Sequence, residues 1–158
     1  MPSYSEEKSM NIGSDLITAV TPTYVYRFGR GGKVNSISVL TGVAAAAGGA
    51  LTLTISRRLS PGGALVTPPI RSVTNAEMLA GCTAAGDVLI VDCRTLGNTD
   101  FNPGEELVVA LVAGTGTATL SICANLYESP TGAPAGSGVG AENKASFLPA
   151  GTGSIRRI

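Results

Sequence analysis

The side chains able to do chemistry are few in this chain. Histidine is absent from its 158 residues, which removes the commonest general base at neutral pH and the commonest zinc ligand. Serines and cysteines are present, but without a histidine to activate them. A serine–lysine pair could stand in for that base. Yet Lys8, Lys33 and Lys144 fall in expected arms or turns, so no enzyme activity, catalytic residue, metal or cofactor is expected. Cys82, Cys93 and Cys123 form no C-x-x-C pair and are odd in number. They read as reduced, structural thiols of a protein made in a cytosol, with a Cys93–Cys123 bridge between neighbouring strands as the alternative.

Two clusters invite a binding role. Gly29-Arg30-Gly31-Gly32-Lys33 is glycine-rich and basic. A phosphate loop, however, needs four residues between its glycines and then Lys-Ser or Lys-Thr opening a helix. Here Lys33 runs into Val34 and a strand, so a β-turn is expected. Asn98-x-Asp100-x-Asn102, followed by Gly104 and Glu105, spaces its oxygens as calcium loops do. The sixth and twelfth positions, where glycine and glutamate belong, hold Pro103 and Val109. A hydrogen-bonded turn entering a strand is expected, with calcium the alternative. Asp87 and Asp92 stand close to Arg94 and read as local ion pairing. In TYVYRF, Tyr24, Tyr26 and Phe28 share one strand face, a core aromatic stripe; the alternative is an exposed stacking platform.

The elements around these groups are strands. Charged residues are 14% of the chain, and 21 glycines and 9 prolines punctuate it. With Val, Ile and Thr abundant, that composition favours many short strands joined by tight turns. The stretch Thr99–Tyr127 predicts a hairpin. Leu107–Val112 is an apolar run suited to a strand covered on both faces. Ala118–Leu126 alternates, with Leu120, Ile122, Ala124 and Leu126 on a dry side and Thr119, Ser121, Cys123 and Asn125 on a wetter one. Val34–Leu40 and Leu51–Ile55 predict a second strand pair, and LTLTI echoes the ATLSI of Ala118–Ile122. Ser14–Val20 predicts an edge strand, Ile70–Val73 a short strand, and Val88–Cys93 a doubly covered one. Thr74-Asn75 is placed to cap a helical turn over Ala76–Ala80. Six to eight strands at this spacing predict an all-β sandwich or barrel.

Domain organisation follows: an N-terminal arm at 1–20, a β-sandwich domain at 21–128, and a Gly/Pro/Ala-rich C-terminal arm at 129–158. The 11 basic and 11 acidic residues cancel, so no net field recruits nucleic acid. The polar, acidic N-terminus lacks the pattern of a secretory signal, and no apolar run approaches the ~20 residues that span a bilayer. Neither nucleic acid nor membrane is expected as a partner. The C-terminal segment has too few large apolar side chains to fold alone, so a neighbouring subunit is expected beneath it, with folding back onto its own domain as the alternative. Phe147, Leu148, Ile155, Arg156 and Arg157 are its candidate partner-binding residues.

The run from Lys33 to Tyr127 resembles the capsid decoration or cement proteins, the auxiliary head proteins of tailed bacteriophages. The resemblance is carried by K-V-N-S-I-S-V, a Gly/Ala-rich turn, L-T-L-T-I, A-A-G-D leading to V-L-I-V, N-P-G-E-E-L-V-V and A-T-L-S-I. It implies a jelly-roll-like antiparallel β-sandwich, with extended arms, that binds the assembled head and bridges subunits of the major capsid protein. It also implies a homo-oligomer, with a trimer as one form, on the outer capsid surface after synthesis in the host cytoplasm. Two rival readings are a neck, tail or fibre structural subunit and a carbohydrate- or receptor-binding sandwich using Tyr24, Tyr26 and Asp100.

Overall fold

Period-two alternation of apolar and polar residues, interrupted by glycine and proline, specifies short strands with one face to bury. The computed structural model describes residues 6–17, 22–43, 51–112, 118–128 and 154–158. In chain order these hold β1 (Glu6–Ile17), β2 (Thr23–Arg27), β3 (Gly32–Val43), β4 (Thr52–Arg58) and β5 (Arg71–Val73). Then come α1 (Asn75–Gly81), β6 (Val88–Asp92), β7 (Asp100–Phe101), β8 (Glu106–Val112), β9 (Ala118–Glu128) and β10 (Ile155–Arg157). One sheet has the order β1-β9-β3-β6-β10, with β7 beside the start of β3. The other has the order β2-β8-β4-β5. Every pairing is antiparallel except that of β10 on β6.

The molecule is therefore an all-β sandwich. Its core is shared by Ile37, Leu89 and Ile122 of the first sheet and Leu53, Ile55, Val109 and Leu111 of the second. Removing a side chain of this size from water contributes about 1.5–3 kcal/mol each, which is what holds the two sheets face to face. At one end Phe28 stacks on Phe101 with ring centroids 4.4 Å apart, and Tyr26 meets Phe28 edge-on at 5.1 Å. The aromatic stripe is thus a core stripe.

Both expected hairpins are corrected. β8 pairs with β2 and β4, whereas β9 pairs with β1 and β3, so the two strands of the Thr99–Tyr127 stretch lie in opposite sheets. β3 and β4 are likewise separated. The physical reason is that an apolar face specifies what it must be buried against and leaves open which edge it pairs with. Leu107 and Val109 meet the core from one sheet while Leu120 and Ile122 meet it from the other.

Other elements lie near their expected places. The N-terminal strand begins earlier than expected, at Glu6, and pairs with β9 from Glu6↔Glu128 to Ile17↔Ala118. It is the edge of its sheet; residues 18–20 lie outside the described residues. Thr74 caps α1 through a reciprocal box: the Glu77 amide donates to Thr74 Oγ1 at 3.3 Å, and the Thr74 amide donates to Glu77 Oε2 at 2.9 Å. Val88–Val91 is buried throughout, as a doubly covered strand should be. The wetter side of β9 is drier than expected. Cys123 is 4% and Asn125 1% exposed, because neighbouring strands supply partners: Asn125 Nδ2 donates to Ser36 Oγ at 3.1 Å, and Ser9 Oγ lies 3.6 Å from Cys123 Sγ.

Candidate interaction surface at the carboxy-terminal edge

Of the five expected partner-binding residues, Phe147 and Leu148 lie outside the described residues. Ile155, Arg156 and Arg157 form β10, and all three are exposed. β10 runs parallel to β6 with Ile155 beside Val88 and Arg157 beside Ile90. The Val88 amide donates to the Ser154 carbonyl at 2.8 Å, the Ile158 amide to the Ile90 carbonyl at 2.9 Å, and the Asp92 amide to the Ile158 carbonyl at 2.8 Å. Alternate residues of a parallel strand bond to a given neighbour. Ser154 and Ile158 therefore face β6, and Ile155 and Arg157 turn their main-chain groups away. The sheet ends here in a short, charged edge, a form that discourages indiscriminate strand pairing.

Side chains fix both ends of this segment. Asp87, 3% exposed, receives the Ser154 amide and Oγ on Oδ1 at 3.0 and 3.2 Å. Its Oδ2 receives the Thr83 amide at 3.0 Å, Thr83 Oγ1 at 2.5 Å and the Ala84 amide at 2.8 Å. The Ser154 amide, then the Thr83 hydroxyl, hold the carboxyl well below the ordinary carboxylate range against the opposing effect of burial. At the far end Arg157 Nη1 lies 3.7 Å from Asp92 Oδ2, and Ile158 packs against the core. Asp92 is also the partner of Arg94, Nη2 to Oδ2 at 2.6 Å, and that bond chiefly lowers its pKa. Local ion pairing thus describes Asp92. It does not describe Asp87, whose described partners are neutral donors.

Sequence reasoning missed this role of Asp87. The turn Thr83-Ala-Ala-Gly-Asp87 carries half the signal, because an aspartate can accept from amides a few residues before it. The other half, Ser154, is 67 residues away.

A second polar cluster closes the opposite end of the sandwich. Arg57 donates Nε and Nη2 to the two oxygens of Glu105, each at 2.8 Å, and the Asn102 amide adds a third bond at 2.8 Å. Burial pushes Glu105 up, but these donors outweigh it and its pKa falls. Glu128 likewise takes Lys8 Nζ at 2.9 Å and the Tyr26 hydroxyl at 2.7 Å, which together overcome burial. Tyr24 and Tyr26 are half-buried and packed on the core. The geometry thus spends them on packing and on Glu128.

The remaining candidates separate. Gly29–Gly31 is a bend leading into β3. Asn98 has φ 61° and donates Nδ2 to the Pro68 carbonyl at 2.9 Å, Asp100 sits in β7, and Asn102 is bound to Glu105. Among the described residues no group of three His, Cys, Asp or Glu could hold a metal. The cysteines are free and buried, so the alternative Cys93–Cys123 bridge is absent. Burial, then the neighbouring Asp92 charge, pushes the Cys93 thiol up to about 12, leaving it protonated and unreactive at neutral pH.

Fold and surface together define a β-sandwich protein whose own C-terminal residues are built in as the outermost strand of one sheet. Comparison with family models, curated proteins and solved structures returns no match for this chain.

Proposed function

We propose that this chain is a structural subunit of a virus particle, a capsid decoration or cement protein of a tailed bacteriophage. It binds the outer surface of the assembled head as a homo-oligomer and bridges subunits of the major capsid protein. The strand order carries this reading. With β7 and β10 set aside, β1-β9-β3-β6 faces β2-β8-β4-β5, and successive strands other than β4 and β5 change sheets, an order that supports the jelly-roll form of the sandwich. That architecture recurs in viral capsid domains and also in lectins. The fold alone assigns no function, so the reading also leans on the resemblance of Lys33–Tyr127 to the auxiliary head proteins. The lectin branch has less support, since Tyr24 and Tyr26 are committed to the core and to Glu128.

The mechanism is mass action. A protein that binds the assembled shell and not its parts stabilises the shell by RT ln(1 + [L]/Kd) per site. No bond is made or broken, and no catalytic step is assigned. The test is to prepare heads with and without this chain and follow protein content by sedimentation and mass spectrometry. The expected result is a fixed copy number per head and loss of heads lacking it at a lower temperature. Absence from purified heads would overturn the reading.

A further inference from the structure

We propose that the edge of β6 is a strand-exchange site: in the assembled protein, the segment Ser154–Ile158 that docks there comes from a neighbouring copy of the same chain. The inference deepens the assembly reading above and rests on it for the crowding that favours exchange, while the docking site stands on its own geometry.

Recognition of the segment is local to its five residues. Ser154 is held by Asp87, which Thr83 and Ala84 pre-orient from the acceptor side with three bonds to the other oxygen. Main-chain bonds run from Val88 to Ser154, from Ile158 to Ile90 and from Asp92 to Ile158. Arg157 lies beside Asp92, and Ile158 enters the margin of the core. None of these contacts depends on the segment belonging to the same chain. An added strand that gains affinity from main-chain bonds and selectivity from alternate side chains is a general mode of peptide recognition.

Chain length leaves the choice of acceptor open. β9 ends at Glu128, opposite Gly32 of β3, whereas β10 begins beside Val88, which pairs with Leu40. Residues 129–153 must therefore connect opposite ends of the sheet. That gap is roughly 27 Å along the strands and about 14 Å across them. A chain of about 25 residues reaches at most about 80 Å. Any β6 edge within that radius is as accessible as the chain's own.

The energetic balance is also close. Three paired residues with exposed side chains belong to the least stable part of a fold, where opening is frequent. Tethering by a connection of this kind gives an effective concentration on the order of millimolar. A neighbouring copy at about that local concentration, the condition inside a symmetric assembly, competes evenly. Exchange of an identical element between protomers is a low-cost way to join them.

Two full-length variants test this, Ala84→Cys as acceptor and Ser154→Cys as donor. Both positions are exposed, both meet at the Asp87 carboxylate, and neither change removes a main-chain bond of the latch. The three native thiols are buried. The double variant in one chain confirms that a short bis-maleimide spans the pair. The variants are then mixed at about millimolar concentration, the effective concentration of the tether, treated with the bis-maleimide and read by intact mass. The expected product is a covalent dimer of one acceptor and one donor, lost when the acceptor also carries Asp87→Asn. Cross-linking confined to the double variant would overturn the proposal. So would a mixed dimer that survives Asp87→Asn, since it would arise from random collision. Neither failure bears on whether the protein is found on heads.

Discussion

Asp87 shows how one buried carboxylate can organise a chain terminus. An ionised carboxylate has about four acceptor sites and needs partners when buried. Here five donors from Thr83, Ala84 and Ser154 supply them. Asp87→Asn replaces an acceptor oxygen with a donor facing other donors, so β10 should detach. Trypsin should then remove the residues after Arg156 and Arg157 several-fold faster than in the parent chain, as read by intact mass. The pH dependence has a defined sign. The folded-state pKa of Asp87 is depressed, so between it and the unfolded value of about 3.9 the unfolded chain binds more protons. The stabilisation is fully present above about pH 4 and is lost as pH falls toward the depressed value. Urea midpoints of the parent and Asp87→Asn should therefore differ at pH 7 and converge in strong acid.

Among the elements, α1 draws part of its support from within its own sequence. Seven residues cannot form a stable helix alone, so it depends on its cap and on Met78, which is buried in the core. Thr74 and Glu77 satisfy one another's main-chain donors. Arg71 also reaches Glu77, Nη2 to Oε1 at 2.8 Å, tying the helix to β5. Thr74→Ala should lower the unfolding free energy by about 1 kcal/mol, measured in urea with an unchanged m-value. β10 is the opposite case: it has no helix-like internal bonds and exists as a strand only through the edge it joins.

At the scale of the whole molecule, the order β1-β9-β3-β6-β10 places β9 and β3 in the middle of one sheet, bonded on both sides along most of their length. Opening them requires breaking two ladders and the core at once. Amide hydrogen exchange should therefore be slowest in the middle of β9 and β3, at Ile37–Val39 and Ile122–Ala124, and fastest in β10. Equal protection of β10 and β9 would show the C-terminal strand to be part of the cooperative core, and not a separable docking element.

Local sequence determined much of what is seen. Alternating runs located β4 and β9, and unbroken apolar runs located β6 and β8, each to within a few residues, because what a strand must bury is written in its own side chains. Thr74-Asn75 marked the start of α1, because a cap is satisfied within one turn. Tertiary structure alone decided the rest. That β8 and β9 part company follows from edge pairing, which main-chain groups make without regard to side-chain identity. Burial of Cys123 and Asn125 follows from the strands on either side of β9. The role of Asp87 depends on Ser154, brought to it by a parallel strand from the far end of the chain. Interactions between neighbours in sequence leave a pattern that can be read, and those created by folding over long separations do not.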